Sequence, residues 1–298
     1  MKSNRNKIYI IVVFILLFFN FSVWQRVFEL NNCLKVVFFD VGQGDSIFIE
    51  TPQGYQILID GGPSGEKILK KLNKEIPFWD RIIDLAVLTH PDTDHLRGLN
   101  YVLKRYKVKN ILWTGIQKNT KTFYYWQKNL KKERERDKAK IFIARRGGKI
   151  KAGDAEFFIL YPFNDLNGIF SSKNTNNTSI VLMLLFGRNR FLFVGDIDAR
   201  IESEVLNSGA ELKSQVLKIA HHGSGHSTSK EFLNAVLPDI AVISVGRNNP
   251  YGHPNKETLK KLTEFGIKVL RTDKEGDIKI ISNGWDFFIQ SKKIIKIK

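Results

Sequence analysis

Cysteine is almost absent from this chain of 298 residues, which contains only Cys33. An intramolecular disulfide is therefore excluded. Internal repeats are absent as well, so a solenoid or a tandem array is not expected. Because 43% of the residues are hydrophobic, the chain can form one sizeable core. We expect a single α/β domain over residues 31–298 that depends on this core and on any metal it binds.

Acidic residues are also in short supply: 30 Asp and Glu stand against 47 Lys and Arg, a formal net charge of +17. The imbalance is greatest in the basic segment, Lys118–Lys151, with thirteen basic and three acidic residues. The aromatic run Phe123–Trp126 lies within it, and such a segment can neutralise phosphates and stack on unpaired bases. We predict DNA as a partner. The candidate substrate-binding residues in this segment are Lys131, Lys132, Arg145 and Arg146.

Two other interpretations of the basic segment stay open. The run Lys131–Asp137 contains i,i+4 ion pairs, which are typical of a solvated helix. An anionic lipid surface is a further possible partner for such a charge.

Charge is absent from residues 8–24, an apolar run preceded by Lys2, Arg5 and Lys7. A helix of this length approaches the hydrocarbon thickness of a bilayer, about 30 Å. A cleaved signal peptide is the alternative, but no small-x-small cleavage site follows Trp24. We therefore predict a signal-anchor transmembrane helix within residues 1–30. The basic flank predicts a cytoplasmic N-terminus and places residues 31–298 on the extracytoplasmic side of the cell membrane.

A dense set of metal-competent side chains follows the apolar run Leu85–Leu88. His90, Asp92, Asp94 and His95 lie within six consecutive positions, which we expect to form a loop between a strand at 84–89 and a helix at 98–106. Imidazole nitrogens and carboxylate oxygens at this density favour one or two divalent cations over a polar loop that merely caps a strand.

Two further apolar runs end in the same way. Phe191–Val194 leads into Gly195 and Asp196, and Val216–Ala220 leads into His221 and His222. Three strand ends could bring these side chains together. Two alternatives remain: Asp196 could cap a helix at 197–207, and the histidine pair could form a turn before Gly223.

The order of these motifs resembles the metallo-β-lactamase superfamily and, more narrowly, the C-terminal nuclease-like domain of the ComEC competence proteins. The narrower resemblance is carried by segments spread over about residues 35–285: Asp40–Ser46, Ile59–Gly62, Asn177–Ser179, Ser244–Pro254 and Arg271–Asp273. It implies a four-layer αββα sandwich, preceded here by the N-terminal transmembrane helix.

The resemblance also implies a set of site residues and two divalent metal ions, manganese or zinc. Asp94, Asp196 and His253 would be catalytic, with Asp196 bridging the ions and His253 meeting a phosphate or the leaving oxygen. Asp40, Asp45 and Asp60 would support the ligands from behind, and Asn177, Ser179 and Ser224 would contact substrate.

The chain departs from the superfamily pattern at two points. Asp92 stands where the common motif has histidine, and the histidine expected before the Gly-Asp strand is missing, with Asn177 and Ser179 in that region. Oxygen ligands make the site harder, which favours manganese relative to zinc.

The function implied is a membrane-anchored, metal-dependent phosphodiesterase that attacks DNA during uptake with a metal-held hydroxide. It could work beside a separate channel protein. One alternative is a hydrolase of another external phosphodiester, of the choline or teichoic-acid type. The other is a non-catalytic DNA-binding module on the same fold.

Overall fold

Two β-sheets lie face to face between two layers of helices in the computed structural model. The structure describes residues 15–21, 32–172, 174–290 and 295–296. The chain divides into two compact units between Cys33 and Leu34. In the first unit, residues 15–21 are helical. The rest of the predicted signal-anchor lies outside the described residues.

Within the described residues, no helix combines the length and apolar character needed to cross a membrane. The transmembrane helix and the division at residue 30 therefore stay predictions.

The second unit begins with antiparallel strands and continues with alternating strands and helices. In chain order its first half comprises β1 Leu34–Phe38, β2 Ile47–Glu50, β3 Gln56–Ile59, α1 Gly65–Glu75, β4 Ile82–Leu88, α2 Thr93–Arg105, β5 Lys107–Trp113, β6 Gln117–Lys118, α3 Lys121–Arg136 and β7 Lys140–Ile143.

The second half also begins with antiparallel strands and continues with parallel ones, and its last three strands return to the first sheet. It comprises β8 Lys149–Ala152, β9 Ala155–Tyr161, β10 Phe170–Ser171, β11 Val181–Phe186, β12 Asn189–Phe193, α4 Ala199–Asn207, β13 Val216–Lys218, α5 Lys230–Val236, β14 Ile240–Ile243, α6 Lys256–Glu264, β15 Lys268–Arg271, α7 Thr272–Glu275, β16 Ile278–Ser282, β17 Phe287–Gln290 and β18 Ile295–Lys296. Short 3₁₀ turns occur at Asn176–Thr178 and Ala220–Gly223.

Among the described residues, the two main sheets have nine and seven strands. The first runs in the order β18-β17-β16-β1-β2-β3-β4-β5-β7, and the second in the order β15-β14-β13-β12-β11-β9-β8. Pairing is parallel from β3 to β7 and from β12 to β15. The carboxyl ends of β12 and β13 therefore lie side by side in the second sheet, and the predicted ligands that follow them come close to those that follow β4 of the first sheet.

Three buried apolar clusters separate the four layers. One lies between the sheets and joins residues of both, such as Phe38 and Phe193, whose ring centroids are 6.1 Å apart. The second packs the first sheet against α1, α2 and α3, and the third packs the second sheet against α4, α5 and α6. The predicted four-layer αββα sandwich is confirmed.

The structure differs from the predicted elements where the ligands lie. The second helix begins at Thr93 instead of 98, with Asp92 at its N-cap position. Asp94 and His95 therefore belong to the first turn of α2 and not to a loop. From this turn, Asp94 and His95 each offer a ligand atom to the same group of metal-competent side chains.

Candidate metal centre

Four side chains converge where the ends of β4, β12 and β13 meet. Asp94, His95, Asp196 and His222 each offer one ligand atom, and in the described part of the chain these atoms lie within 4.8 Å of one another. Asp196 Oδ2 is 3.3 Å from both His95 Nε2 and His222 Nε2, and Asp94 Oδ2 is 3.3 Å from His222 Nε2. Separations near 3.3 Å are those of ligands around one cation with bonds of about 2.1 Å.

Both histidines are oriented from behind. His95 Nδ1 donates to Asp60 Oδ2 at 2.7 Å, and His222 Nδ1 donates to the Ser244 carbonyl at 2.9 Å. Each Nε2 therefore faces the cluster, where the neutral ring would present its lone pair, and neither has a hydrogen-bond partner among the described residues. Buried nitrogens left free in this way fit a metal ion, and the carbonyl and carboxylate partners are of the kind that fix ligand tautomers.

Asp60 is the principal support. It is fully buried, and besides His95 it accepts the Thr89 backbone N–H at 2.8 Å and the Thr89 hydroxyl at 2.6 Å. Its φ of 58° is in the left-handed region, an uncommon conformation for a residue other than glycine.

Close packing of α2 fixes the other side of the cluster. The backbone N–H of Gly61 donates to the His95 carbonyl at 2.7 Å, and that of Gly98 donates to the Gly62 carbonyl at 2.9 Å. A Cβ on Gly98 would lie 1.8 Å from the Gly61 carbonyl oxygen, so only glycine permits this approach. The first turn of α2, which carries Asp94 and His95, is thereby held against the end of β3.

Electrostatics show that the cluster is built for positive charge. Burial lowers the pKa of His95 and of His222, but the nearby carboxylates, chiefly Asp196, more than offset this and hold both pKa values well above the usual range. Burial raises the pKa of Asp196, and the two histidines more than offset it, so the carboxyl group stays ionised. A divalent cation would satisfy the same negative charge that these protons satisfy without it.

The second group of metal-competent atoms, Asp45, Asp60 and His95, lies behind the cluster. Here a buried ammonium provides the positive charge: Lys218 Nζ pairs with Asp45 and is 3.4 Å from Asp196 Oδ1. Lys218 also donates to the Gly195 carbonyl at 3.0 Å. This lysine, only 1% exposed, fixes the carboxylate of Asp196 from the rear.

Comparison with known proteins agrees with this geometry. Residues 39–247 match the sequence model of the metallo-beta-lactamase superfamily.

The chain belongs to the metallo-β-lactamase superfamily.

Its relatives include competence proteins. It is 34% identical to ComE operon protein 3 of Bacillus subtilis over 82% of this chain and 32% of that protein. It is 31% identical to competence protein ComA of Neisseria gonorrhoeae over 83% of this chain and 32% of that protein. The chain thus spans about a third of the length of these relatives. The ComEC-like resemblance is confirmed.

The solved structures support the fold. The metallo-β-lactamase fold protein YhfI from Bacillus subtilis aligns with a TM-score of 0.52 at 13% identity, covering 80% of this chain and 95% of YhfI. A likeness at this identity concerns the fold alone.

The two adjacent histidines of this superfamily member have different positions. His222 is buried in the ligand cluster, whereas His221 is only half-buried and its Nε2 is 3.2 Å from Asn176 Nδ2. Both have left-handed backbone conformations, with φ of 48° and 54°. Two such residues in succession cost of order 1–3 kcal/mol each, and strain of this kind clusters at functional sites.

The structure excludes one alternative role, that of Asp196 as a helix cap. The N-cap of α4 is Asp198, whose Oδ1 accepts the backbone N–H groups of Arg200 and Ile201, so Asp196 is not the cap.

His90 and Asp92 form a separate pair beside the cluster. His90 Nδ1 lies 3.1 Å from the Thr89 hydroxyl and 3.2 Å from the Ser179 hydroxyl, which leaves a buried Nε2 without a hydrogen-bond partner among the described residues. Asp92 Oδ2 is 3.9 Å from this Nε2.

The predicted substrate-binding residues of the loops are engaged within the protein. Asn177 exchanges two hydrogen bonds with Asp198, at 2.7 and 3.0 Å. The Ser179 hydroxyl accepts the Asp196 backbone N–H at 3.0 Å, and the buried Ser224 hydroxyl accepts that of His226 at 3.3 Å. These side chains hold the loops around the site, and their contact with substrate stays a prediction.

His253 lies at the outer side of the site. Its ring is 5.5 Å from that of His221 and is stacked on the exposed Tyr251 ring at 6.0 Å. Burial, with a contribution from His221, lowers the pKa of His253, so it is mostly neutral at pH 7. Contact of His253 with a substrate stays a prediction, and the lowered pKa makes this side chain a less available proton donor. Asp40, by contrast, accepts the Gly42 backbone N–H at 3.2 Å and serves a turn.

The basic segment divides into a buried and an exposed face. Phe123 and Trp126 are buried against α2, so the expectation that they stack on bases is wrong. The reason is the helical period, which turns alternate parts of an aromatic run toward the core. Tyr124 and Tyr125 are exposed at 61% and 41%, and Tyr125 lies 5.8 Å from the Lys104 ammonium.

The predicted DNA-binding cations are exposed, but not equally free. Lys131 has only a long ion pair of 3.9 Å with Glu135. Arg146 donates to the Ser208 carbonyl at 2.7 Å and lies over the Phe163 ring. Lys132 and Arg145 are exposed at the surface.

Sequence reasoning missed two lysines at the centre, Lys218 and Lys118. Lys218 interrupts an apolar strand, and a single charge inside a buried run was a usable signal. Lys118, whose ammonium pairs with Asp92, is one of 47 basic residues and carried no such signal.

Proposed function

We propose that the chain is a metal-dependent hydrolase of phosphodiesters and that its substrate is DNA. The observation that carries the proposal is the cluster of Asp94, His95, Asp196 and His222 at the mouth of the strand ends, adjoining the basic segment. A bound divalent ion would lower the pKa of a water ligand and polarise a phosphoryl oxygen. Two carboxylates and two imidazoles suit manganese as well as zinc.

The remaining residues prepare the site for such a substrate. Asp60 and the Ser244 carbonyl hold the two ligand imidazoles in one tautomer, so no reorientation is needed when the ion and substrate bind. Lys218 Nζ, which is 3.4 Å from Asp196 Oδ1, fixes that carboxylate from the rear.

The surface beside the site carries groups that can contact a polyanionic substrate. Gln117 accepts a hydrogen bond of 2.6 Å from Gln127 in the second turn of α3, so the basic helix is anchored beside the site. Its exposed face carries Tyr124, Tyr125 and Lys131. Tyrosine faces and ammonium groups along one path can track a single strand by stacking and phosphate contact.

The competence relatives favour DNA over other phosphodiesters. Their names concern competence and recombination, and the chain shares about a third of their length. We propose that this chain acts during DNA uptake, beside a separate channel protein, from the extracytoplasmic side of the membrane.

A nuclease assay tests the function. The purified chain, reconstituted with manganese or zinc, is incubated with labelled single-stranded DNA, duplex DNA and bis(p-nitrophenyl) phosphate. We expect cleavage of DNA, loss of at least 100-fold of the rate in Asp196→Asn, and little change in Asp154→Asn, an exposed carboxylate in the β8–β9 turn. Cleavage of the small diester without DNA would favour another external substrate, and tight DNA binding without cleavage would favour a binding module.

Accessibility to protease tests the location. In spheroplasts, a C-terminal tag should be degraded by added protease if residues 31–298 face outward, and a protected tag would contradict this orientation.

A further inference from the structure

The carboxylate of Asp92 is already engaged by a cation of the protein. Asp92 Oδ1 accepts hydrogen bonds from the Lys118 ammonium and the Thr175 hydroxyl, and these two donors are 3.4 Å from each other. Two ions would need, besides the cluster of four ligands, a position formed by this carboxylate together with His90, which we call the first position.

The fold holds Lys118 at this place. Gln117 and Lys118 form β6, which pairs in parallel with β10, and Gln117 is hydrogen-bonded to Gln127 of α3. Thr175 is fully buried at the start of the following 3₁₀ turn. The side chain of Lys118 itself is only 19% exposed. The ammonium group is thus positioned by the backbone pairing of β6 with β10 and by the side-chain hydrogen bond from α3 to Gln117, and it is not a freely moving surface charge.

The first position also lacks a third ligand. In the described part of the chain, neither His90 nor Asp92 belongs to a group of three metal-competent atoms within 4.8 Å. Ser179 is turned to His90 Nδ1, the face away from the site, and Asp196 is directed to His95 and His222 on one side and to Lys218 on the other.

We propose that the Lys118 ammonium replaces the first metal ion, so that the chain holds one divalent cation on Asp94, His95, Asp196 and His222. The proposal deepens the proposed function, since it concerns the metal complement of the same site. An ammonium beside a carboxylate repels a divalent ion that would share that carboxylate, and His90 with Asp92 alone supplies too few ligands to overcome the repulsion.

Manganese binding to the full chain tests this without reference to activity. Isothermal titration should give one tight site per chain, and the electron paramagnetic resonance spectrum should show the six lines of an isolated Mn²⁺ ion. Lys118→Gln should add a second site that is at least tenfold tighter than any second site of the parent chain, with an exchange-coupled spectrum. Lys109→Gln, which removes an exposed lysine paired with Asp84 at 2.8 Å, is the matched control and should behave like the parent.

A double variant locates the added ion. In Lys118→Gln with Asp92→Asn, the second site should be lost again while the first keeps its affinity, which also reports that the variant is folded. Two tight sites with a coupled spectrum in the parent would overturn the proposal, and so would a second site that is unchanged in Lys118→Gln. A chain that binds one ion but cleaves no phosphodiester would contradict the proposed function and leave the stoichiometry standing.

Discussion

The adjacent histidines allow a sharp test of the metal centre. His222 contacts Asp94 and Asp196, whereas His221 contacts Asn176 and His253. Replacing His222 with alanine should remove one of four ligands. Replacing His221 with alanine leaves the four intact and removes an equal number of atoms one residue away.

The size of the effect follows from linkage between metal binding and folding. At a free manganese concentration of 100 times the dissociation constant, the ion stabilises the parent chain by about 2.7 kcal/mol. Changing a group that only supports a ligand weakens metal binding by about 10–100-fold, so loss of a ligand should cost at least about 100-fold. The same manganese concentration then equals the dissociation constant of the His222→Ala chain, and the stabilisation falls to about 0.4 kcal/mol.

Calorimetric unfolding with and without manganese measures this difference. Since 1 kcal/mol corresponds to about 2–4 °C in a chain of this size, the metal-induced rise in Tm should be about 5–10 °C for the parent and about 1–2 °C for His222→Ala. His221→Ala should keep the rise of the parent. Each variant is compared with its own metal-free form, so any cost of the substitution to the apo fold cancels.

Two results would refute the assignment. One is a full metal-induced rise in His222→Ala, and the other is its loss in His221→Ala alone.

Three other predictions concern packing, pH and salt. Gly98→Ala should lower the free energy of unfolding by about 3 kcal/mol or more and weaken metal binding, because the new Cβ would lie 1.8 Å from the Gly61 carbonyl oxygen. Urea unfolding and metal titration measure the two effects, and an unchanged urea midpoint would exclude the packing role. Burial raises the pKa of Tyr161 to about 12, so the stabilising contribution of its hydroxyl is full below pH 10 and is lost as the pH rises through 12. Between pH 8 and 11, the free energy of unfolding of the parent, measured in urea, should fall by about 1.4 kcal/mol relative to that of Tyr161→Phe. Parallel pH profiles of the two chains would contradict this. Combined Lys131→Glu and Lys132→Glu should flatten the dependence of DNA affinity on salt by about 1–2 in log–log slope, and an unaltered slope would assign this charge to another partner or to solvation.

The strand-end pattern was sufficient to predict the fold and the region of the centre. The strands that lead to Asp196 and His222 are neighbours in the second sheet, and the strand that leads to His90 ends near them in the first sheet. The resemblance of the motif order indicated the four-layer sandwich. Parallel pairing makes this inference possible, because it brings residues far apart in the chain to one edge of a sheet.

The division of ligands within the centre was not accessible in the same way. Whether Asp94 groups with Asp92 or with His95 depends on one turn of α2, and the helix start is set by contacts with Gly61 that no local pattern records. The choice between His221 and His222 depends on two successive left-handed residues, which helix and strand periods do not predict.

Charge and aromatic content were informative in bulk but not in detail. The basic segment does form a helix with exposed cations, yet two of its four aromatic residues belong to the core. The functions of Lys118 and Lys218 depend on tertiary partners that are 26 and 22 residues or more away in sequence.

The ligands are shared evenly between the two halves of the sandwich. Asp94 and His95 follow β4 of the first sheet, and Asp196 and His222 follow β12 and β13 of the second sheet. A bound ion would therefore be a cross-link between the two sheets as well as a reagent, and its affinity would include part of the free energy of docking one sheet on the other. Chelation would then loosen the contact between the sheets before it disturbed either sheet.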